Sequence, residues 1–337
     1  MKVRTYHSTT TGMRETNQDR VCEEATSLFG EPAIVLAVAD GMGGMRAGDK
    51  AAEIAIETVR RYAKEIFPVL PHSREALRSS MGEMYQEANR RIWEYGQAQN
   101  SEGMGTTLVC CVAFDGRFLA ANAGDSRCYY INNFEARQLT EDHSRVQELV
   151  SMGAMTEDAA RRSPFRSQLT NSLGEPHEIR VDLIPPGTNY GVIDEDCVLL
   201  LCSDGLHGEV SEEDLRRQAH GTDDLKTACD NLIALAVQRG STDNVTVAAV
   251  ECGTLARKGP RQEKLPPVER IIEERKCSEA VRANPAVRSR APIVLVFGLV
   301  LALLVAAGLV MSQDAQRFWG QHFAGKAVPG SNRDNRR

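Results

Sequence analysis

The sequence predicts a domain that contains both β-strands and α-helices, and three patterns indicate it. Seven uninterrupted apolar residues, 33–39, precede the pair Asp40-Gly41, and a run this apolar is typical of a strand that is covered on both faces. The same arrangement returns at residues 197–202, which lead through one serine into Asp204-Gly205. Apolar residues spaced every three to four positions, as on a helix face, occupy much of the chain between these strands.

Four segments carry helix signals. Residues 51–66 and 77–95 repeat apolar side chains at helical spacing, and the second segment follows Ser73, a suitable N-cap. The run Ser211-Glu212-Glu213-Asp214 has the form of a capping box and opens a further helix. We expect another helix over residues 225–237.

Shorter apolar runs predict the remaining strands. Residues 107–114 and 117–123 flank Asp115-Gly116, a pair that suits the two-residue turn of a hairpin. Further strands are predicted at residues 128–131 and 245–250.

The stretch from about residue 144 to 190 lacks a sustained pattern. Short helical segments at 146–152 and after Thr156 alternate with Ser163-Pro164 and Gly174-Glu175-Pro176, which interrupt regular structure. We expect a surface flap over residues 144–190.

Charge is distributed unevenly along the chain. The formal net charge is −6, but residues 1–253 carry −14, whereas residues 254–290 carry +5 and residues 312–337 carry +3. So acidic a domain repels nucleic acid phosphates, and we therefore expect no nucleic acid partner.

The nine cysteines are scattered, and no Cys-x-x-Cys pair occurs among them. This usage predicts reduced, mostly buried thiols in the cytosol rather than a disulfide framework or a zinc site.

The C-terminal part changes composition twice. Residues 254–290 are rich in Arg, Lys, Glu and Pro, which predicts a basic, mobile linker. Residues 291–311 contain no charge and are long enough to cross a hydrocarbon core of about 30 Å, so we expect one transmembrane helix, with a buried core helix as the alternative. Because positive charge is concentrated before this helix, residues 1–290 are placed in the cytoplasm at the inner membrane, and residues 312–337 are expected to form a short extracytoplasmic tail.

Four acids lie close to predicted strand ends: Asp40, Asp125, Asp204 and Asp243. Carboxylates gathered without a cation repel one another unless divalent ions share them, and oxygen-only ligation suits Mg²⁺ or Mn²⁺. Two such ions can activate a bridging water for displacement at phosphorus. Arg14 offers a planar fork for phosphate oxygens. For Asp125, in a Gly-Asp-Ser sequence, an ordinary turn remains the alternative.

Seven motifs, in this order and spacing, resemble the bacterial-type metal-dependent serine/threonine protein phosphatases of type 2C, the PPM family. The motifs are Arg14-x-x-Asn17-Gln18-Asp19, Asp40-Gly41-Met42-Gly43-Gly44, Gly103-Met104-Gly105-Thr106-Thr107, Ala123-Gly124-Asp125-Ser126-Arg127, Leu169-Thr170-Asn171-Ser172-Leu173-Gly174, Ser203-Asp204-Gly205 and Thr242-Asp243-Asn244. The resemblance covers about residues 3–252, and we assign the domain to residues 1–253. It implies the α+β class, with a central antiparallel β-sandwich flanked by helices on both faces, a four-layer αββα architecture, and a dinuclear Mg²⁺ or Mn²⁺ centre at one end.

The same resemblance implies the metal ligands. Asp40 would bridge the two ions, the Gly41 carbonyl would bind the second ion, and Asp204 and Asp243 would bind the first. Asp125, together with Asp204, would form a weaker third metal position.

Two further residues receive roles from the resemblance. Asp19 would orient metal-bound water, and Arg14 would bind the substrate phosphate. The implied reaction is hydrolysis of phosphoserine and phosphothreonine on proteins by a metal-bridging water or hydroxide. The implied partners are phosphorylated proteins, among them a membrane serine/threonine kinase and its substrates.

The chain departs from the family pattern at three positions. Met42 and Met45 stand where many members have a histidine, and Gln18 stands where some have a glutamate. A missing proton donor would lower the rate rather than binding, so a membrane-tethered phosphoprotein-binding module with weak or no turnover is the alternative function. His143 also matches a family turn, and we expect it to be structural.

Overall fold

The computed structural model describes residues 3–43, 47–101, 103–193, 196–253 and 260–283. The chain divides into two compact units, Met1–Glu273 and Glu274–Arg337. Of the second unit only residues 274–283, the end of a helix, are described.

The described residues form twelve strands in two sheets and eight α-helices that connect or follow these strands in the sequence. The strands are β1 (Val3–Thr10), β2 (Asp19–Leu28), β3 (Glu31–Met42), β4 (Gly105–Thr106), β5 (Leu108–Phe114), β6 (Arg117–Ala123), β7 (Arg127–Ile131), β8 (Ala136–Gln138), β9 (Asp182–Ile184), β10 (Gly191–Val192), β11 (Cys197–Cys202) and β12 (Val245–Cys252). The helices are α1 (Ala47–Arg61), α2 (Arg74–Ala98), α3 (Arg145–Ser151), α4 (Glu157–Arg161), α5 (Asp204–His207), α6 (Glu212–Gly221), α7 (Leu225–Arg239) and α8 (Val268–Ala283).

The two sheets are antiparallel throughout the described pairings. One has the strand order β1-β12-β11-β7-β8, and the other has the order β10-β6-β5-β3-β2, with β4 paired to β3 and β9 paired to β6. Side chains from both sheets, such as Leu36 and Val109 of the second and Leu199 and Val250 of the first, pack together in one buried cluster. The sheets therefore form a sandwich with an apolar layer between them.

Helices cover the outer face of each sheet. Ala55 of α1 and Met84 of α2 pack on one sheet, whereas Leu215 of α6 and Leu232 of α7 pack on the other. The predicted α+β fold, with sheets flanked by helices, is confirmed.

Strand β3 shows why its sequence is apolar without interruption. Val35, Ala37 and Ala39 face the cluster under α1 and α2, while Leu36 and Val38 face the layer between the sheets. Because successive side chains point to opposite faces, a strand buried on both faces needs apolar residues at every position.

Local turn and cap chemistry agrees with the sequence. Asp115 and Gly116 both have positive φ, 40° and 65°, as a two-residue hairpin turn between β5 and β6 requires. The Ser73 side chain accepts a hydrogen bond from the Ala76 amide. The capping box of α6 is formed by Ser211 and Asp214.

The predicted linker over residues 254–290 is partly structured. Leu265 and Val268 contact the cluster under α6 and α7, and Ile271 of α8 is buried in it. The Leu265 amide donates a hydrogen bond of 2.9 Å to the Asn231 side chain. Packing on the domain therefore continues beyond Gly253, because these apolar residues cover an otherwise open helix surface.

The predicted membrane location requires correction. No helix in the part of the chain that the structure describes is both long and apolar enough to cross a bilayer, and this finding overturns the assignment to the inner membrane. The longest described helix, α2, is rich in Arg and Glu, which a hydrocarbon core excludes. The segment 291–311, for which a transmembrane helix was predicted, and the tail 312–337 lie outside the described residues.

Candidate active site

Five aspartates lie at the same end of the sandwich. Asp19 is the first residue of β2 and pairs across the ladder with Asp40, close to the end of β3. Asp204 follows β11 at the start of α5, Asp243 precedes β12, and Asp125 lies in the turn between β6 and β7. Antiparallel pairing brings these strand ends to one edge, and we refer to the five residues as the carboxylate cluster.

The carboxylates of the cluster act on one another electrostatically. Burial, followed by the charges of Asp19, Asp204 and Asp125, raises the pKa of Asp40 well above its usual range. Burial and the charge of Asp204 likewise raise the pKa of Asp125. Asp19, Asp40, Asp125 and Asp204, which are distant in the sequence, therefore lie close together in space.

The pKa values of Asp19 and Asp204 are also raised. Burial is the main cause that raises the pKa of Asp19 to about 7. Burial and the neighbouring Asp243 raise the pKa of Asp204, and the positive charge of Arg166 in the flap opposes that rise. Repulsion among acids at this end is only weakly compensated by cations.

The cluster offers the oxygen ligands that divalent ions prefer, but its side chains are not arranged around a single metal position. Within the described ranges, no group of three or more His, Cys, Asp or Glu side chains is arranged to hold a metal ion. The Asp19 Oδ1 atom is buried and has no hydrogen-bond partner among the described residues. An unpartnered buried oxygen among carboxylates of raised pKa suits Mg²⁺ or Mn²⁺, which take oxygen ligands.

Thr106, the last residue of β4, and Thr107, which follows it, fix the backbone of Asp40. The Asp40 amide donates to Thr107 Oγ1 over 3.0 Å, and the Asp40 carbonyl accepts from the Thr107 amide at 2.9 Å and from Thr106 Oγ1 at 2.8 Å. This pairing also extends β3 beyond Asp40, which the sequence had predicted to lie where the strand stops.

Gly41 has no room for a side chain. A Cβ atom at this position would lie 2.1 Å from the carbonyl oxygen of Gly48. The close approach of the two backbones therefore requires glycine at position 41.

Ser203 connects the two sheets at the cluster. Its Oγ donates to Asp19 Oδ2 over 2.7 Å and accepts from the Thr246 amide at 3.1 Å. The Asp19 carboxylate is thereby held in one orientation.

Arg14 lies at the rim of the cluster. Its Nη2 donates to Asp243 Oδ2 over 2.8 Å, and 57% of its side chain is exposed. A pair this exposed is weak, about 0–1 kcal/mol, so the guanidinium can exchange Asp243 for another anion at low cost.

Asn244 holds the loop that carries Arg14. Its Oδ1 accepts from the Gln18 amide at 2.8 Å, and its Nδ2 donates to the carbonyls of Thr11 and Thr16 at 3.0 and 2.9 Å. The sequence identifies Asn244 only as part of the motif Thr242-Asp243-Asn244. A polar residue at the first position before a buried strand was the available signal.

His207 is a second residue that sequence reasoning did not single out. Its Nε2 lies 3.0 Å from the Asp125 carbonyl oxygen, and burial lowers the pKa of His207 to about 3. The ring is therefore neutral near pH 7 and donates to that carbonyl, which supports the turn that carries Asp125.

His143 joins the β6–β7 turn to the flap. Its Nδ1 accepts from the Gly124 amide at 3.2 Å and from Asn171 Nδ2 at 2.7 Å, while Nε2 lies 3.0 Å from Asp182. Both nitrogens are engaged, which agrees with a structural role.

Met45, one of the two residues at the family's histidine positions, lies outside the described residues.

Comparison with known proteins gives consistent matches. The sequence profile described as Protein phosphatase 2C matches residues 11–236. The chain is 36% identical over 228 residues to the serine/threonine phosphatase stp of Listeria monocytogenes. The aligned residues cover 67% of this chain and 86% of that protein.

Solved structures match over a similar span. The S. agalactiae serine/threonine phosphatase aligns with a TM-score of 0.68 at 30% identity, covering 75% of this chain and 100% of that chain. The catalytic domain of the serine/threonine protein phosphatase PstP, solved with two manganese ions, aligns with a TM-score of 0.61 at 28% identity, covering 74% and 97%.

Proposed function

Because this chain belongs to the protein phosphatase 2C family and is a serine/threonine protein phosphatase, we propose that it hydrolyses phosphoserine and phosphothreonine at the carboxylate cluster. The observation that supports this site is the meeting of five aspartates at one end of the sandwich, with the exposed fork of Arg14 at its rim.

We propose that the cluster holds two Mn²⁺ or Mg²⁺ ions. Asp40 and the Gly41 carbonyl, with Asp204 and Asp243, are the proposed ligands, and Asp125 with Asp204 is the proposed third position. Bound ions would supply an activated water and would neutralise charge on the phosphate. The all-oxygen donor set and the unpartnered Asp19 Oδ1 support this assignment.

The chain's own residues then have distinct tasks. Arg14 would release Asp243 and bind two phosphate oxygens, which orients the phosphate toward the cluster. Asp19, fixed through Oδ2 by Ser203, would accept a hydrogen bond from the attacking water through Oδ1 and so orient it.

The substrates are phosphorylated proteins, as the family's activity requires. We propose that a serine/threonine kinase and the proteins that it phosphorylates are the partners in the cell. The acidic domain argues against nucleic acid as a partner.

The test is hydrolysis of a phosphothreonine peptide with added Mn²⁺. We expect activity to be abolished by chelation and to fall by at least about 100-fold in Asp204→Asn, since a ligand of the reacting centre is lost. Asp223→Asn is the matched control, because Asp223 is 77% exposed and pairs with Arg261 away from the cluster.

Activity that survives chelation or Asp204→Asn would contradict the proposal. The alternative, a binding module with little turnover, is separated by measuring the single-turnover rate and the peptide affinity independently. Tight binding with no measurable single-turnover hydrolysis would favour that alternative.

A further inference from the structure

A cavity of about 190 Å³ lies next to the carboxylate cluster. Apolar side chains from four separate segments contribute to its lining: Met42 from the end of β3, Trp93 from α2, Met104 from the loop between α2 and β4, and Leu173 and Pro176 from the flap. Trp93 is 36% exposed, so an apolar surface at the mouth faces solvent.

The walls of this cavity are fixed before anything enters it. Asn89 of α2 accepts from the amides of Gly174 and Glu175 at 2.7 and 2.9 Å and donates to the carbonyls of Glu175 and His177 at 3.1 and 2.8 Å. One side chain thus ties the loop that contains Pro176 to the helix that carries Trp93. A preformed pocket loses little conformational entropy on binding.

The floor of the cavity continues the ladder that holds Asp40. Met42 pairs with Gly105, and Gly41 pairs with Thr106. Thr106 in turn exchanges backbone hydrogen bonds of 3.1 and 2.9 Å with Leu173. Met42 is two residues beyond Asp40, and a strand rises about 3.3 Å per residue. The cavity therefore begins about 7 Å along the chain from the proposed bridging ligand.

Its size suits one side chain, since a cavity of about 150 Å³ can hold a benzene molecule. The lining is mixed, because polar residues such as Ser172 and Glu175 lie beside the apolar ones. An apolar side chain would therefore contact Met42, Trp93 and Met104 in particular. Methionine side chains such as Met42 and Met104 adapt to differently shaped occupants. An extended peptide whose phosphorylated residue lies at the cluster would bring a residue two to four positions away to the mouth of the cavity.

We propose that this cavity is a subsite for an apolar side chain of the phosphoprotein substrate, two to four residues from the phosphorylated serine or threonine. The subsite rests on the function proposed above. Continuity with the cluster and the fixed walls favour a substrate side chain as the occupant.

The test compares phosphothreonine peptides that differ only by leucine or alanine at each of these positions. At one position we expect kcat/KM to be about tenfold higher with leucine, the size of effect that a hydrophobic pocket gives. Trp93→Ala should remove most of that preference, mainly through KM, whereas Trp93→Phe should retain it. Hydrolysis of p-nitrophenyl phosphate, which has no peptide, should be unchanged in both variants.

Tyr95→Ala is the matched control. Tyr95 lies on the same helix and is also 36% exposed, but it is not among the residues that line the cavity. A wild-type enzyme with no leucine preference, or a preference that persists in Trp93→Ala, would overturn the subsite. A wild-type protein that hydrolyses neither the peptides nor p-nitrophenyl phosphate would instead refute the phosphatase function together with it.

Discussion

Aspartates in two regions of this domain have opposite surroundings. Asp214, at the N-terminus of α6, accepts from Arg239 at 2.9 Å and completes the capping box with Ser211, and the Arg239 hydrogen bond is the main cause that holds its pKa well below the usual range. In the carboxylate cluster, burial and neighbouring acids raise the pKa of Asp40 and Asp125.

The difference separates a structural carboxylate from the carboxylates that we propose as metal ligands. Asp214 has a cation and a helix N-terminus beside it, so its charge stabilises the fold. The cluster holds its acids together at a cost in stability, and repulsion of this kind is relieved when divalent ions bind. Fixed cations in the cluster would stabilise the protein but would compete with the metal.

We expect the largest effect on activity and stability when one aspartate of each kind, Asp40 and Asp214, is replaced by asparagine. In Asp40→Asn, phosphopeptide hydrolysis should fall by at least about 100-fold, while the metal-free protein becomes about 1 kcal/mol more stable because a repelling charge is removed. Asp214→Asn should leave kcat unchanged and lower stability by about 2 kcal/mol. Urea unfolding in chelator and steady-state kinetics measure both quantities.

Equal losses of stability in Asp40→Asn and Asp214→Asn would show that the two aspartates do not differ in their contribution to the stability of the fold. The measurement in chelator matters, because bound metal would add its own stabilisation to the wild-type protein.

Asn244→Ala tests how far the cluster depends on its loop. Removing its three hydrogen bonds to Gln18, Thr11 and Thr16 should cost about 2 kcal/mol of stability. It should also lower kcat/KM about 10- to 100-fold, since Arg14 loses its position. Thermal unfolding and phosphopeptide kinetics check this result.

Asn231→Ala is the matched control for that loop. Asn231 is buried like Asn244 and hydrogen-bonds Gln218 of α6 and, beyond α7, Glu263 and Leu265. It should lose similar stability with unchanged kcat/KM, and a comparable kinetic defect in both variants would contradict the positioning role of Asn244.

The smallest expected effect is on acid stability. Hydrogen bonds from Arg180 and His143 contribute to a pKa of about 2 for Asp182, below its ordinary 3.8, with the Arg180 bond as the largest cause. A depressed pKa contributes stability that is present above about pH 4 and is lost as the pH falls toward 2. Asp182→Asn should therefore be about 1 kcal/mol less stable than wild type at pH 6 and should differ little near pH 2.

Urea midpoints at pH 6, 4, 3 and 2 measure this dependence. Glu178→Gln, an exposed change in the same flap, provides the control. A constant difference between Asp182→Asn and wild type across these pH values would show that the effect is not electrostatic.

The elements with strong local signals were predictable from the sequence. The runs that form β3 and β11, the hairpin turn at Asp115-Gly116, the N-cap Ser73 and the capping box at Ser211 each carry a signal that is independent of distant residues. Four acids of the cluster are recognisable because they follow or precede apolar strands, whereas Asp19 is identified only through the family resemblance. Residues 260–272 carry a weak local signal, because their few apolar side chains, Leu265 among them, show no period without the surface that they cover. The packing of this part of the predicted linker is visible only in the structure.

The sequence by itself determined the α+β class, the order of those strands and helices that carry strong local signals, and the family to which the chain belongs, because these depend on residue patterns within each segment. Only the tertiary structure decided which groups support the cluster, namely Ser203 on Asp19, Thr107 on Asp40 and Asn244 on the Arg14 loop. These contacts join residues between 67 and 226 positions apart. Hydrogen bonds of this kind have no local signature, because they exist only once the two sheets have packed.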